Sequence, residues 1–199
     1  MNVVIIKYNA GNIQSVDYAL RRLGVSAEIT NDHGKILAAD KVIFPGVGEA
    51  GTTMQYLRKN KLDELIKDLK QPLLGICLGM HMLCRHSEER DTDCIGIFEE
   101  EVKKFVPEPG KENITKVPQM GWNNIYDLKN GIFDLTLENK YVYFVHSYYV
   151  TMGKDTAATC DYILPFSAAL TKDNFYATQF HPEKSGKAGA KIIENFIKL

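Results

Sequence analysis

The sequence is short of most features that mark a specialised protein class. It has no charge excess: 24 Lys plus Arg stand against 25 Asp plus Glu, for a formal net charge of -1. That balance supplies no basic field for neutralising phosphates, so a dedicated nucleic-acid binder is excluded. It has no long apolar run either. The most apolar stretch, Pro72 to Cys84, is interrupted by Gly75, Gly79 and His81 and falls short of the ~20 residues of a membrane span. Val3-Val4-Ile5-Ile6 near the N-terminus is shorter than the about 7–15 apolar residues of a signal peptide, and no small-residue cleavage site follows, so a cytoplasmic location without membrane contact is expected. Cysteine is sparse. Cys77, Cys84, Cys94 and Cys160 include no C-x-x-C pair, which suggests neither a disulfide framework nor a zinc site, and no metal or cofactor is expected. Internal repeats, low-complexity segments and a dividing linker are also missing.

What is present is ordinary globular material. With 199 residues, 45% hydrophobic and 25% charged, the chain is expected to form one domain over 1–199. A domain of this size buries on the order of 70% of its unfolded surface without staples. Val3 to Ile6 is a continuous β-branched run, as in a strand buried on both faces, and a turn is expected around Asn9-Ala10-Gly11. Ile13, Val16, Ala19, Leu20 and Leu23 recur at helical spacing, and Gly24 stands where a glycine ends a helix. A strand over Val25 to Thr30, a short helix near Lys35 to Ala39 and a strand over Lys41 to Phe44 complete a β-α-β-α-β order. Such alternation implies a parallel sheet with crossover helices. Pro45-Gly46-Val47-Gly48 then breaks the chain before helical patterns from Thr52 to Leu69 and a buried strand from Leu73 to Ile76. Thr92 to Tyr126, with Pro107, Pro109, Gly110 and Pro118, reads as an insertion of hairpins and loops. Strands over Tyr141 to Val150 and Phe175 to Phe180 and a helix over Ala188 to Ile197 follow.

The sharpest chemical signal is Gly75-Ile76-Cys77-Leu78-Gly79, a G-x-nucleophile-x-G pattern between a buried strand and a helix. Glycines are needed there because a sharp strand-to-helix turn brings backbone segments together around a strained central residue. The turn also puts the thiol at a helix N-terminus, where the dipole favours thiolate and the next amide can face a developing oxyanion. A lone cysteine is most often structural; between two glycines at such a junction Cys77 reads as a nucleophile, and Cys84, Cys94 and Cys160 keep the structural reading.

A thiolate nucleophile needs a base and a group that orients the base. His33 and His86 sit among polar residues and read as solvated. His81 lies one helical turn beyond Cys77, better placed for substrate contact than for proton abstraction. His146 interrupts an aromatic strand and reads as a core histidine. His181 ends the run Phe175 to Phe180 and is followed by Pro182-Glu183; strand C-termini are where parallel sheets build sites. Pro182 fixes the backbone so that Glu183 can bond one ring nitrogen while the other faces Cys77. A Cys77-His181-Glu183 triad is the hypothesis, against the blander reading of His-Pro-Glu as a surface turn that ends a strand.

With these residues in view, the sequence resembles the triad, or class-I, glutamine amidotransferases, and more closely the glutaminase subunits of imidazole glycerol phosphate synthases. The likeness covers nearly the whole chain. It rests on Tyr8 to Val16, Pro45 to Gly48, Gly75 to Met80, Ser87-Glu88-Glu89, Pro118 to Asn123, His146 to Tyr149 and Gln179 to Ser185. The resemblance implies a flavodoxin-like α/β fold: an open, mostly parallel sheet flanked by helices, with an inserted antiparallel hairpin region. It implies that Cys77 attacks the side-chain amide of L-glutamine, His181 carries the proton to departing ammonia and Glu183 orients His181. It further implies an oxyanion hole from the amides of Val47 and Leu78, the former after a peptide flip, and substrate contacts from Gly48, His81, Glu89, Ser147 and Tyr148. A (β/α)₈-barrel cyclase subunit is the implied partner in a heterodimer, with Asn12, Met120, Trp122 and Lys184 near the interface. That partner uses the ammonia to make imidazole glycerol phosphate and an aminoimidazole carboxamide ribotide in histidine biosynthesis. The chain departs from the family pattern at His81, where glutamine is commoner, and at Lys7 and Asn9, where many relatives have Asp and Gly.

Two rival readings stand beside this one. The glutaminase subunit of pyridoxal phosphate synthase is similar in size and also docks on a barrel, but Met120 to Asn123 and His146 to Tyr149 argue against it. A catalytically silent flavodoxin-like binding module would be free to lose Cys77, His181 or Glu183, and all three are present.

Overall fold

The computed structural model describes residues 1–8, 12–107, 109–110, 115–129 and 131–199. The turn expected around Asn9-Ala10-Gly11 lies outside them, as does the departure at Asn9.

The N-terminal half alternates as its pattern predicts. β1 (Val3–Ile6), α1 (Ile13–Arg22), β2 (Ala27–Thr30), α2 (His33–Leu37) and β3 (Lys41–Gly46) are followed by α3 (Ala50–Lys59), α4 (Leu62–Asp68), β4 (Leu73–Cys77) and α5 (Leu78–Leu83). Gly24 takes φ +75° after α1, and its amide donates to the Arg21 carbonyl at 3.0 Å, closing the helix as a glycine stop does. The helical patterns expected over Thr52 to Leu69 form two helices, divided where Lys61 adopts a left-handed conformation (φ 54°).

The remaining elements are β5 (His86–Ser87), β6 (Thr92–Asp93), β7 (Glu101–Lys104), β8 (Gln119–Asn124), β9 (Tyr141–His146), β10 (Tyr148–Val150), β11 (Thr156–Tyr162), β12 (Leu164–Lys172), β13 (Phe175–Thr178) and α6 (Gly186–Lys198). The main sheet runs β2-β1-β3-β4-β13, all parallel, and continues through β12, β10, β7, β5 and β6, with β11 on β12. β8 and β9 form a separate antiparallel pair; β8 falls in the region expected to hold hairpins, while β9 is the first part of the strand expected over Tyr141 to Val150, which breaks at Ser147 because β10 joins the main sheet.

Alternation across the sheet builds two cores. Val4 and Ile6 face the helices α2 to α5, packing with Ile36, Met54, Leu57 and Ile66. Val3 and Ile5 face α1 and α6, packing with Leu20, Ile192, Ile193 and Phe196. Each such side chain contributes about 1.5–3 kcal/mol when fully buried, so both faces of β1 are pinned. No described helix is long and apolar enough to cross a membrane.

The β11–β12 hairpin is the element that patterning does not reveal. Its residues include Ala157, Ala158, Ala168 and Ala169, weak strand formers, and the pairing register shifts between Thr156 and Ala158 and again before Thr159. Those irregularities erase the two-residue period on which a strand is recognised.

Candidate active site

β4 lies between β3 and β13 in the parallel part of the sheet, so the three strands end side by side. The register sets Gly46 of β3 against Cys77 and Thr178 of β13 against Ile76. Cys77 sits at the β4–α5 junction with φ 53° and ψ −107°, a conformation that costs a non-glycine residue about 1–3 kcal/mol and persists only where the surroundings impose it. They do so sterically. A Cβ on Gly79 would stand 1.9 Å from the Phe44 carbonyl oxygen, and one on Gly75 would stand 2.8 Å from Leu83 Cδ1 and 3.1 Å from the Gly79 backbone. The flanking glycines therefore permit close approach of β3, β4 and α5.

His181 is the third residue after β13 and is 1% exposed. Its amide donates to the Tyr143 carbonyl at 2.9 Å and its own carbonyl accepts from Ser185 Oγ at 2.7 Å. The ring is fixed from one side by Nδ1 and Glu183 Oε1, 2.8 Å apart. Nε2, on the other side, interacts with Cys77 without closing a hydrogen bond of full geometry. Burial works against the charged ring, yet hydrogen bonding and charge from Cys77 and Glu183 prevail, and the His181 pKa rises to about 10. The ring is held as an imidazolium beside Cys77.

Asn12, read from sequence as lying near the partner interface, is half-buried and bonds to the proposed triad. It precedes α1 in a left-handed conformation, makes no side-chain cap to that helix, and donates from Nδ2 to Glu183 Oε1 at 2.6 Å. Its amide thus holds the carboxylate that holds His181. The other three residues read as interfacial are exposed: Met120 at 66% and Trp122 at 56% on β8, and Lys184 beyond β13.

A cavity of about 290 Å³ opens at Cys77. Val47, Gly48, Leu78, His81, Glu89, Ser147 and Tyr148, the remaining residues named from sequence for oxyanion and substrate, all line it. Pro118, Val145 and His146 line it as well. Glu89 is half-buried; one oxygen accepts from the Ala50 amide at 2.8 Å, and burial raises its pKa above the ordinary carboxylate value. His146, expected as a core histidine, is buried among Phe105, Phe144 and Phe166 with one nitrogen bonded to the Tyr148 carbonyl at 2.7 Å. Its Nε2 has no partner among the described residues, and burial drives the pKa down to about 3. His81 is also buried; it bonds Gln179 and, through burial, titrates at about 4.

Two histidines expected to be fully solvated are half-buried instead. His33 bonds the Asn60 carbonyl at 3.0 Å, and His86 lies 3.2 Å from each of Asp91 and Asp93. Neither lines the cavity. Burial raises the pKa of Cys84, Cys94 and Cys160 alike, the last two to about 12, so these thiols stay protonated. Gln179 is the site residue to which the sequence alone assigns no role. It opens the segment Gln179 to Ser185 that contains His-Pro-Glu, but only the β4–β13 register sets it beside Cys77.

The geometry can be compared with known proteins. The family model described as glutamine amidotransferase class-I matches residues 4–199. The chain is 62% identical over 199 residues to the imidazole glycerol phosphate synthase subunit HisH of Bacteroides fragilis, covering 100% of both chains. It is 44% identical over 201 residues to the subunit of the same name in Escherichia coli, again covering 100% of both. Among solved structures, one described as a glutamine amidotransferase superposes with TM-score 0.75 at 16% identity, covering 99% of this chain and 98% of that one. PurLQS from Thermotoga maritima gives 0.71 at 13% identity, covering 99% and 97%. At those identities the likeness is one of fold. A flavodoxin-like sheet with a strained cysteine at its parallel edge is thus matched by relatives alike over their full length: the chain belongs to the class-I glutamine amidotransferase family, in its imidazole glycerol phosphate synthase HisH branch.

Proposed function

We propose that this chain hydrolyses L-glutamine through Cys77 and delivers the ammonia to a (β/α)₈-barrel cyclase subunit, as the glutaminase half of a cytoplasmic imidazole glycerol phosphate synthase heterodimer. The observation that carries this reading is a strained cysteine that lines a cavity, with a buried histidine interacting with it from behind and a carboxylate bonded to that histidine at 2.8 Å. Cys77 Sγ attacks the side-chain amide carbon of glutamine and the carbonyl electrons move onto oxygen. The amides of Leu78 and Val47 receive that oxyanion, the latter once the Pro45-Gly46-Val47-Gly48 backbone turns toward it; one such donor is worth about 10²–10³ in rate. The C–N bond then breaks as His181 protonates the leaving nitrogen, releasing ammonia and leaving a glutamyl thioester on Cys77. His181, now neutral, removes a proton from the attacking water and returns it to the sulfur as glutamate departs, a role worth about 10²–10⁴.

Glu89, Ser147, Tyr148, Gly48 and His81 are placed to hold the charged α-end of glutamine. The exposed side chains of Met120 and Trp122, with Lys184, form the docking face for the cyclase. Trp122 stands edge-on to Tyr143 with ring centres 6.0 Å apart, which supports an aromatic anchor on an exposed face. Glutamine hydrolysis with and without the purified cyclase and its nucleotide ligand tests the reading. Turnover should be weak alone, rise strongly in the complex, and vanish in Cys77→Ala, which still binds the cyclase. Undiminished turnover in Cys77→Ala would overturn the mechanism, and equal rates with and without the cyclase would overturn the coupling.

A further inference from the structure

We propose that the side-chain amide of Gln179 donates to the Cys77 sulfur and stabilises its thiolate, and that His81 sets the direction in which this amide points. The proposal rests on the reading of Cys77 as the glutaminase nucleophile. Gln179 follows β13 directly, and because Thr178 pairs with Ile76 on β4, the next residue along falls beside Cys77. Its side chain is fully buried. Nε2 lies 3.9 Å from Cys77 Sγ, at the long end of an N–H···S contact, and Oε1 lies 2.8 Å from His81 Nε2. The amide therefore bridges the nucleophile and a histidine on the first turn and a half of α5.

The bridge has a sign. An amide oxygen only accepts and an amide nitrogen only donates, so the His81 nitrogen facing Oε1 carries the hydrogen. Burial holds the His81 pKa down at about 4, which leaves the ring neutral with a single N–H. With that hydrogen on Nε2, the Gln179 NH₂ group faces the sulfur. With it on Nδ1, the amide would have to reverse, setting oxygen lone pairs against the thiolate. The tautomer of His81 is thus converted into the polarity of the dipole at Cys77.

Among the described residues, no other neutral side chain has a hydrogen bond to the sulfur. The Tyr8 hydroxyl is close enough to interact with Cys77, but its proton goes to the Pro45 carbonyl at 2.6 Å. His181 is the charged partner, and its proton is the one transferred to ammonia. Gln179 is left as the donor that can stay with the sulfur through both halves of the reaction. By contact with the reacting atom Gln179 is a catalytic residue, and His81 is a positioning residue acting through it.

The test is the pH dependence of Cys77 alkylation by iodoacetamide in the full chain, followed by peptide mass spectrometry. Gln179→Leu should raise the alkylation midpoint by about one pH unit, a tenfold slower reaction below the midpoint. In the complex with the cyclase, kcat for glutamine hydrolysis should fall by a similar factor with KM nearly unchanged. His81→Leu should move the midpoint in the same direction by a smaller amount. His81→Gln, whose amide can also donate to Gln179 Oε1, should keep the wild-type midpoint. A purely structural bridge would lower the thermal midpoint and leave the alkylation profile in place, and that result overturns the proposal, as does an equal shift in both His81 variants. If Gln179→Leu does not fold, the His81→Leu and His81→Gln pair decides alone by the same criterion. A midpoint that moves as stated in a chain that hydrolyses no glutamine, with or without the cyclase, supports the amide's effect and overturns the glutaminase reading instead.

Discussion

The two walls that meet at Cys77 both depend on glycine, and for different reasons. In the elbow formed by β4 and α5, Gly75 and Gly79 are required for space: the Phe44 carbonyl occupies the position a Gly79 side chain would take, 1.9 Å away. In the facing segment, Gly48 has room, with Leu78 Cδ2 at 3.7 Å as its nearest contact, but holds φ +140°, a backbone state that L side chains rarely adopt. One wall is locked by packing and the other is shaped by backbone conformation. The locked wall carries Cys77 and keeps it strained; the Val47-Gly48 wall, with more room around it, is the one proposed to change. The proposed gating by a cyclase partner would need that division, since a movable nucleophile would forfeit alignment and an immovable oxyanion donor would leave nothing to gate.

Breaking the locked wall should have the largest effect. Gly79→Ala forces a methyl into the Phe44 carbonyl, and overlap with backbone has no cheap relief. A loss above about 4 kcal/mol, or failure to fold, is expected from denaturant unfolding; a variant as stable as wild type would show that the elbow is not packed as described.

Acid should strike the same wall next. His81 and His146 are neutral when folded, with pKa values of about 4 and about 3, against about 6.5 unfolded. Below pH 6.5 the unfolded chain binds protons that the folded chain does not, so stability falls as pH falls and keeps falling until the folded values are reached. His81 alone accounts for up to about 3 kcal/mol by pH 4. Unfolding measured at pH 7 and pH 4 should show a smaller acid loss in His81→Gln by about that amount; parallel losses in the two proteins would contradict the burial assigned to His81. His181 runs the opposite way. Its raised pKa of about 10 gives a contribution complete below about pH 6.5 and lost as pH climbs through 10.

The conformational wall should show the smallest change in stability. Gly48→Ala is expected to cost about 1 kcal/mol or slightly more and to leave the fold intact, while glutamine hydrolysis in the complex falls about tenfold or more. Equal losses of stability in Gly48→Ala and Gly79→Ala would erase the distinction between the walls.

How much of this was legible in the sequence follows from how locally each feature is encoded. The buried β1, the elbow and His-Pro-Glu each lie in a few consecutive residues, and their chemistry is dictated by residue type and order. Val47, Glu89 and Ser147 could be named only through family resemblance, because they lie on elements separate from that of Cys77 and the fold brings them to one cavity. The bonds of Asn12 to Glu183 and of His81 to Gln179 span 171 and 98 residues of sequence and depend on strand register, which no local pattern carries. The β11–β12 hairpin was hidden by its alanines and bulges. The two histidines that look solvated by their neighbours, His33 and His86, are half-covered by residues distant or displaced in sequence.

The most direct measurement is active-site labelling of the complex with a diazoketone analogue of glutamine, followed by peptide mass spectrometry. A nucleophilic Cys77 activated by His181 should give a single adduct on the peptide containing Cys77, protected by glutamine and strongly reduced in His181→Ala. Labelling carried instead by Cys84, Cys94 or Cys160, or persisting in Cys77→Ala, would contradict it.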